Sequence, residues 1–185
     1  MQYELDSKIS GLILVTGPIN SGKSKWAENL LKNKSNVTYI ATSAPRKDDI
    51  EWEERISIHR DRRPQNWTII EYPFDLVKTL QEIDNNESIL IDSLGSIVEN
   101  QLELRKDYWT SYENKLVTAL SQLGQLVIIV SEETGWGIVP STKIGHLFRE
   151  RLTHLSSMIS SMALQKWLVT QNSAINLSEV GFSVI

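Results

Sequence analysis

Six short apolar runs punctuate the chain, at Leu12–Thr16, Val37–Ala41, Thr68–Glu71, Ser88–Asp92, Leu126–Ser131 and Trp167–Thr170. Several are rich in Val and Ile and nearly unbroken, the pattern of strands buried on both faces of a parallel sheet. Amphipathic stretches lie between them. Trp26, Ala27, Leu30 and Leu31 give Lys25–Leu31 an apolar face, and Phe74–Ile83 and Tyr112–Leu123 read as helices in the same way. Ile144, Leu147, Phe148, Leu152, Leu155, Ile159 and Met162 fall at helical spacing and predict one long helix. Strand alternating with helix predicts an α/β fold, a mostly parallel sheet flanked by helices. Near the end, Val180, Phe182 and Val184 alternate, which suggests a last edge strand or hairpin. There is no internal repeat, low-complexity tract or linker. We read residues 11–185 as one domain and Met1 to Ser10 as a short frayed extension.

The first strand and first helix enclose a motif. Gly17-Pro18-Ile19-Asn20-Ser21-Gly22-Lys23-Ser24 has the form G-x-x-x-x-G-K-[ST], the phosphate-binding P-loop. The strand before it and the helix after it supply the context the chemistry needs. Successive backbone N–H groups wrap phosphate oxygens, and the helix N-terminus adds partial positive charge. Lys23 is then expected to reach the β- and γ-phosphates, and Ser24 to ligate Mg²⁺ through its hydroxyl. The chain is read as nucleotide-binding, with GTP or ATP as substrate.

Composition narrows the class. The 185 residues are 41% hydrophobic and 23% charged, as in an ordinary globular protein. A formal net charge of −4 argues against a nucleic-acid partner. The absence of cysteine excludes disulfides, thiolate metal sites and a cysteine nucleophile, and fits a cytoplasmic location. The polar N-terminus has no signal-peptide pattern, and no apolar stretch is long enough to predict a membrane span.

Two further segments carry candidate chemistry. Ile89-Leu90-Ile91-Asp92 is an apolar run ending in a carboxylate, which in a P-loop protein holds Mg²⁺ beside the loop serine. The alternative is an aspartate that caps the helix starting near Leu94. Arg55 to Pro64 packs four arginines around His59, after an acidic stretch with Asp48, Asp49, Glu51, Glu53 and Glu54. One reading is a solvated, salt-bridged helix face. The other is covalent phosphoryl or nucleotidyl transfer. A neutral imidazole is nucleophilic near pH 7, and the arginines would stabilise the phosphate under attack.

The segment Arg55-Ile56-x-x-His59-Arg60-x-x-Arg63-Pro64-x-x-Trp67-x-x-x-Glu71 resembles the signature of the bifunctional adenosylcobinamide kinase / adenosylcobinamide-phosphate guanylyltransferase family of cobalamin biosynthesis. Tyr39-Ile40-Ala41-Thr42-Ser43, Asp92-Ser93-Leu94 with Asn100, Glu133-x-Gly135-x-Gly137-Ile138-Val139-Pro140 and Gly145-x-x-Phe148-Arg149 resemble further family motifs in the same order. The resemblance implies a RecA-like P-loop fold, a homotrimer and a two-step reaction. Adenosylcobinamide is phosphorylated by a nucleoside triphosphate, and GMP then passes from GTP to that phosphate through a histidine–GMP intermediate. It implies His59 and Lys23 as catalytic. It implies Gly17 to Ser24, Ala41, Thr42, Ser43, Arg60, Asp61, Arg62, Arg63, Glu71 and Asp92 as nucleotide contacts, with Ser24 and Asp92 at the metal.

The chain departs from the family pattern at Glu132 (usually Asn), Trp136 (often Met), Ser93 (Cys) and Gly95 (Thr), and Ser156-Ser157 replaces an Asn-Gln pair. Two other functions fit the same residues: a P-loop small-molecule kinase without guanylyl transfer, and a non-catalytic, nucleotide-gated corrinoid-binding protein. His146 and His154 are expected to be ordinary surface or interface residues, and the six tryptophans mostly core or interface.

Overall fold

The computed structural model describes residues 3–6, 8–45, 49, 57, 63–182 and 184. The strands are β1 (Gly11–Gly17), β2 (Val37–Ala41), β3 (Thr68–Glu71), β4 (Ser88–Asp92), β5 (Leu126–Glu132), β6 (Gln165–Thr170) and β7 (Ser173–Asn176). The helices among the described residues are α1 (Lys23–Leu30), α2 (Leu76–Glu82), α3 (Leu94–Asn100), α4 (Lys106–Gln122), α5 (Lys143–Met162) and α6 (Leu177–Val180). The strands form one seven-stranded sheet in the order β3-β2-β4-β5-β1-β6-β7. Every pairing is parallel except β6 with β7.

The near-continuous apolar runs follow from burial on both faces. Leu12 and Leu14 of β1 face one core with Ile89, Ile91, Val127 and Ile129, beneath α2, α3, α4 and α5. Ile13 and Val15 face the other with Leu90, Ile128 and Val130, beneath α1. The edge strands depart from the buried pattern: Thr68, Ile69 and Glu71 of β3 and Ser173 and Ile175 of β7 are exposed.

Helix α1 shares the second face with the segment before β1. Tyr3, Leu5 and Ile9 pack against that core. The Tyr3 ring meets Trp167 edge-on at 4.7 Å between centroids, and Trp26 lies 5.0 Å from Trp167. The described part of the expected frayed extension is therefore docked.

Two expectations from the pattern are corrected. Helix α4 begins at Lys106, well before Tyr112, because its first turns bury only Trp109 and carry too few apolar residues to show a period. The last strand is β7, not the alternating Val180, Phe182 and Val184, which are exposed. Gln171 and Asn172 both take left-handed φ, 48° and 58°, and link Thr170 to its partner Ser173. That is the two-residue turn whose twist matches an antiparallel hairpin. Among the described residues no helix is long and apolar enough to cross a membrane.

Candidate active site

Strand β1 delivers the P-loop to the carboxyl end of the sheet, where open α/β sheets bind ligands. Gly17 must lack a side chain: a Cβ there would overlap the Val169 carbonyl and lie 2.6 Å from Ser21 Oγ. Asn20 at φ 57° and Gly22 at φ 90° turn the loop back onto α1. Gly22 is the N-cap, and α1 has no acidic residue in its first turn, so the positive end of its dipole is left for an anion. Pro18 and Ser21 are half-buried, and Ile19 and Asn20 stand at the exposed tip. Lys23 is buried, its ammonium donating to the Pro18 carbonyl at 3.3 Å. Ser24 is half-buried in the first turn.

One strand, β5, separates the P-loop strand from β4, the arrangement of RecA-like P-loop proteins. Asp92 ends β4 on the same edge of the sheet. It does not cap α3, whose N-cap is Ser93. One Asp92 oxygen accepts from the Tyr39 hydroxyl at 2.8 Å. Its other carboxylate oxygen and the Ser24 hydroxyl are hard oxygen donors that fit Mg²⁺. Among the described residues there is no cluster of three or more His, Cys, Asp or Glu. A Mg²⁺ site made of one carboxylate, one hydroxyl, water and substrate phosphates is the type that suits such a donor set.

Thr42 ties the ends of β2 and β4 together. Its N–H donates to the Asp92 carbonyl at 3.1 Å, and its hydroxyl donates to the Ser93 carbonyl and accepts from the Ser93 N–H, both at 2.7 Å. Asn100 donates to the Thr42 carbonyl at 2.8 Å, and Ser43 and Ser96 share a hydroxyl bond at 2.7 Å. Ala41 pairs with Glu71 across β2 and β3, which brings Ala41, Thr42, Ser43, Glu71 and Asp92 to one edge. A cavity of about 330 Å³ opens beside Thr42, lined in part by Phe74, Asp75, Ile97, Tyr112 and Lys115.

Of the basic segment, His59, Arg60, Asp61 and Arg62 lie outside the described residues. Arg63 is turned inward. Its guanidinium carbon sits 3.5 Å from the Tyr39 ring centroid, and its Nε is 3.9 Å from Oε1 of Glu28 on α1. Burial first, and then the Asp92 charge, hold the Tyr39 hydroxyl well above its ordinary pKa, so it remains a donor.

Glu132, at the end of β5, pairs in register with Gly17. Its carboxylate accepts from Ser93 Oγ at 2.5 Å and from the Gly95 N–H at 2.9 Å, at the positive end of α3. The departures at Ser93, Gly95 and Glu132 thus meet in one contact. The Gly135-Trp136-Gly137 loop is exposed, with Arg149 reaching the Gly135 carbonyl at 3.5 Å. His146 is exposed as expected. His154 is exposed as well, with its Nδ1 2.9 Å from the buried Glu113 carboxylate. Trp67, Trp109 and Trp167 are core residues, whereas Trp136 is exposed.

Sequence reasoning singled out neither Tyr39 nor Glu28, and it marked Glu132 only as a departure. Tyr39 stood within the Tyr39–Ser43 motif, and its signal was a polar tip in a mostly apolar strand.

The strand order, the loop and the strand-end carboxylate define a RecA-like P-loop nucleotide-binding protein. Solved structures agree on the fold alone. A Pyrococcus horikoshii protein superposes with a TM-score of 0.52 at 7% identity, covering 91% of this chain and 85% of its own. An ATPase of the type III secretion system of pathogenic bacteria gives 0.51 at 10% identity, over 92% of this chain and 53% of its own. Sequence comparison goes further. The chain belongs to the cobinamide kinase / cobinamide phosphate guanyltransferase family, whose model matches residues 13–177. The bifunctional adenosylcobalamin biosynthesis protein CobU of Escherichia coli K12 is 31% identical over 90% of this chain and 99% of its own length. CobP of Pseudomonas aeruginosa, of the same description, is 37% identical over 74% of this chain and 78% of its own.

Proposed function

We propose that this protein phosphorylates adenosylcobinamide and then transfers GMP from GTP to the new phosphate. The observation that carries the reading is the built P-loop and its neighbouring Asp92 in a chain of this family. In the first step the loop amides and Lys23 bind the β- and γ-phosphates and hold the γ-phosphorus in line with the acceptor hydroxyl. The oxygen–phosphorus bond forms as the bond to the β-phosphate oxygen breaks, and a nucleoside diphosphate leaves. The hydroxyl proton passes to solvent. Mg²⁺, held by Ser24 and Asp92, would neutralise phosphate charge. The cavity beside Thr42 gives the acceptor room to approach.

In the second step we assign the nucleophile to His59. A neutral ring nitrogen attacks the α-phosphorus of GTP, the nitrogen–phosphorus bond forms and pyrophosphate departs. The phosphate of the first product then attacks the same phosphorus and releases the imidazole. Covalent capture keeps two polyanions from meeting directly. Arg60 and Arg62 stabilise the transferring phosphate. We further propose one P-loop unit over residues 11–185, a homotrimer and a cytoplasmic location. The exposed apolar Trp136, Ile138, Val139 and Ile144 are suited to contact between copies.

The deciding experiment is incubation with α-labelled GTP and Mg²⁺. The protein should take up acid-labile, base-stable label and release pyrophosphate, while γ-labelled GTP leaves no label. His59→Ala should abolish labelling and keep much of the kinase step. Kinase activity without labelling in the natural chain would leave a simple kinase.

A further inference from the structure

We propose that Arg63 and Tyr39 are positioning residues: Arg63 anchors the histidine-bearing segment, and Tyr39 joins that anchor to the Asp92 carboxylate. The inference rests on the bifunctional reading above.

The geometry is a chain across four parts of the site. Glu28 sits on α1, one turn beyond Ser24. The Arg63 guanidinium lies between Glu28 and the Tyr39 ring, 3.9 Å from the carboxylate and 3.5 Å from the ring centroid. The Tyr39 hydroxyl reaches Asp92 at 2.8 Å. One aromatic side chain on β2 therefore holds an arginine on its face and the metal-site carboxylate at its tip.

Arg63 is unlike a surface phosphate ligand. Its side chain is only 6% exposed, and that of its partner Glu28 is 11% exposed. Its Nε is buried without a hydrogen bond, 3.9 Å from the Glu28 carboxylate oxygen. A planar guanidinium stacks in this way and an ammonium does not, so lysine is a poor substitute. Its guanidinium is thus already engaged within the protein, by the Tyr39 ring and the Glu28 carboxylate.

Arg63 follows His59 by four positions. Four residues span at most about 14 Å, so fixing Arg63 limits where the histidine can reach. The fixed point is attached to the same helix that carries Lys23 and Ser24. Arg63 and the phosphate cradle thus share a frame, and misplacement of that frame lowers rate more than binding.

The test uses Arg63→Lys, Tyr39→Phe and Tyr39→Leu in the full chain. The readouts are the rate of labelling by α-labelled GTP, the KM for GTP and the Mg²⁺ half-saturation of the kinase step. Arg63→Lys should slow labelling roughly tenfold or more with KM for GTP within about twofold. Tyr39→Phe keeps the ring and loses the bond to Asp92, so Mg²⁺ half-saturation should rise several-fold. Tyr39→Leu should show that rise together with slowed labelling. A raised KM for GTP at unchanged labelling rate in Arg63→Lys would make the arginine a nucleotide ligand and overturn its anchoring role. Unchanged Mg²⁺ dependence in Tyr39→Phe would overturn the link to Asp92. If the natural chain takes no label, the bifunctional reading itself fails, and the Mg²⁺ readout still decides the Asp92 link.

Discussion

The Glu132 carboxylate occupies the space that any side chain at Gly95 would need. It accepts the Gly95 N–H at 2.9 Å, and a Cβ on residue 95 would overlap Oε2 and lie 2.8 Å from Cδ. The Ser93 hydroxyl, 2.5 Å from the other oxygen, completes the fit. Three positions on two strand ends and a helix therefore act as one unit.

This unit predicts non-additive stability. Gly95→Ala should displace the carboxylate and cost about 1–3 kcal/mol, read as a lower denaturant midpoint. Glu132→Ala should cost a similar amount. The double variant should fall well short of the sum, because both substitutions break the same contact. Additive losses would mean that the contact contributes nothing.

Lys23→Ala should leave the chain folded and lower the kinase rate by on the order of 10² to 10⁴, the usual effect of removing a charge that acts on the transferring phosphoryl group. Steady-state kinetics with adenosylcobinamide would check it. Turnover near that of the natural chain, with an unchanged melting profile, would remove Lys23 from the mechanism.

Arg151 is predicted to matter for stability alone. It is buried, donates to the Gln101 and Leu102 carbonyls at 2.9 and 3.1 Å, bonds the Leu104 carbonyl, and lies 4.8 Å from the Trp109 ring centroid. It closes the turn between α3 and α4. Arg151→Lys cannot reproduce the planar fork and should cost about 2–4 kcal/mol in a urea melt. A loss no greater than for exposed Arg105→Lys would contradict this.

Alkaline pH should weaken the fold through its tyrosines. Burial, and then the Asp75 charge, push Tyr112 up to about 12. A phenol that ionises later in the folded state gives stability that is complete below about pH 10, the unfolded value, and is lost as pH rises toward the folded one. Denaturant midpoints measured from pH 9 to 11 should fall, and Tyr112→Phe should flatten that fall by on the order of 1 kcal/mol per pH unit. An identical slope in the variant would dismiss the shift.

The chain announces in sequence what depends on neighbours along it. Strand, glycine loop and helix are contiguous, so Gly11–Gly17 and Lys23–Leu30 lie where the pattern and motif put them. Four of the other five apolar runs became inner strands because burial on both faces leaves an unbroken run, and Thr68–Glu71 became the exposed edge strand β3. The hairpin after β6 was illegible, since Gln171-Asn172 lacks the glycine that usually marks such a turn.

Tertiary structure decided what the polar tips do. Glu28, Tyr39, Arg63 and Asp92 come from four separate stretches, and periodicity records which face a residue takes but not whom its end group meets. The family resemblance implies Arg63 as a nucleotide contact, and the placement of β2 beside β4 and beneath α1 puts the Tyr39 ring within its reach and Asp92 at the ring's hydroxyl. Glu132 likewise stood out in sequence only as an unusual residue. Its partners at Ser93 and Gly95 were fixed by β5 lying next to β4, a consequence of strand order. Hydrophobic spacing sets the elements because water acts on every residue locally. Hydrogen bonds and ion pairs are short-ranged, so they form only after the sheet order has brought distant residues together.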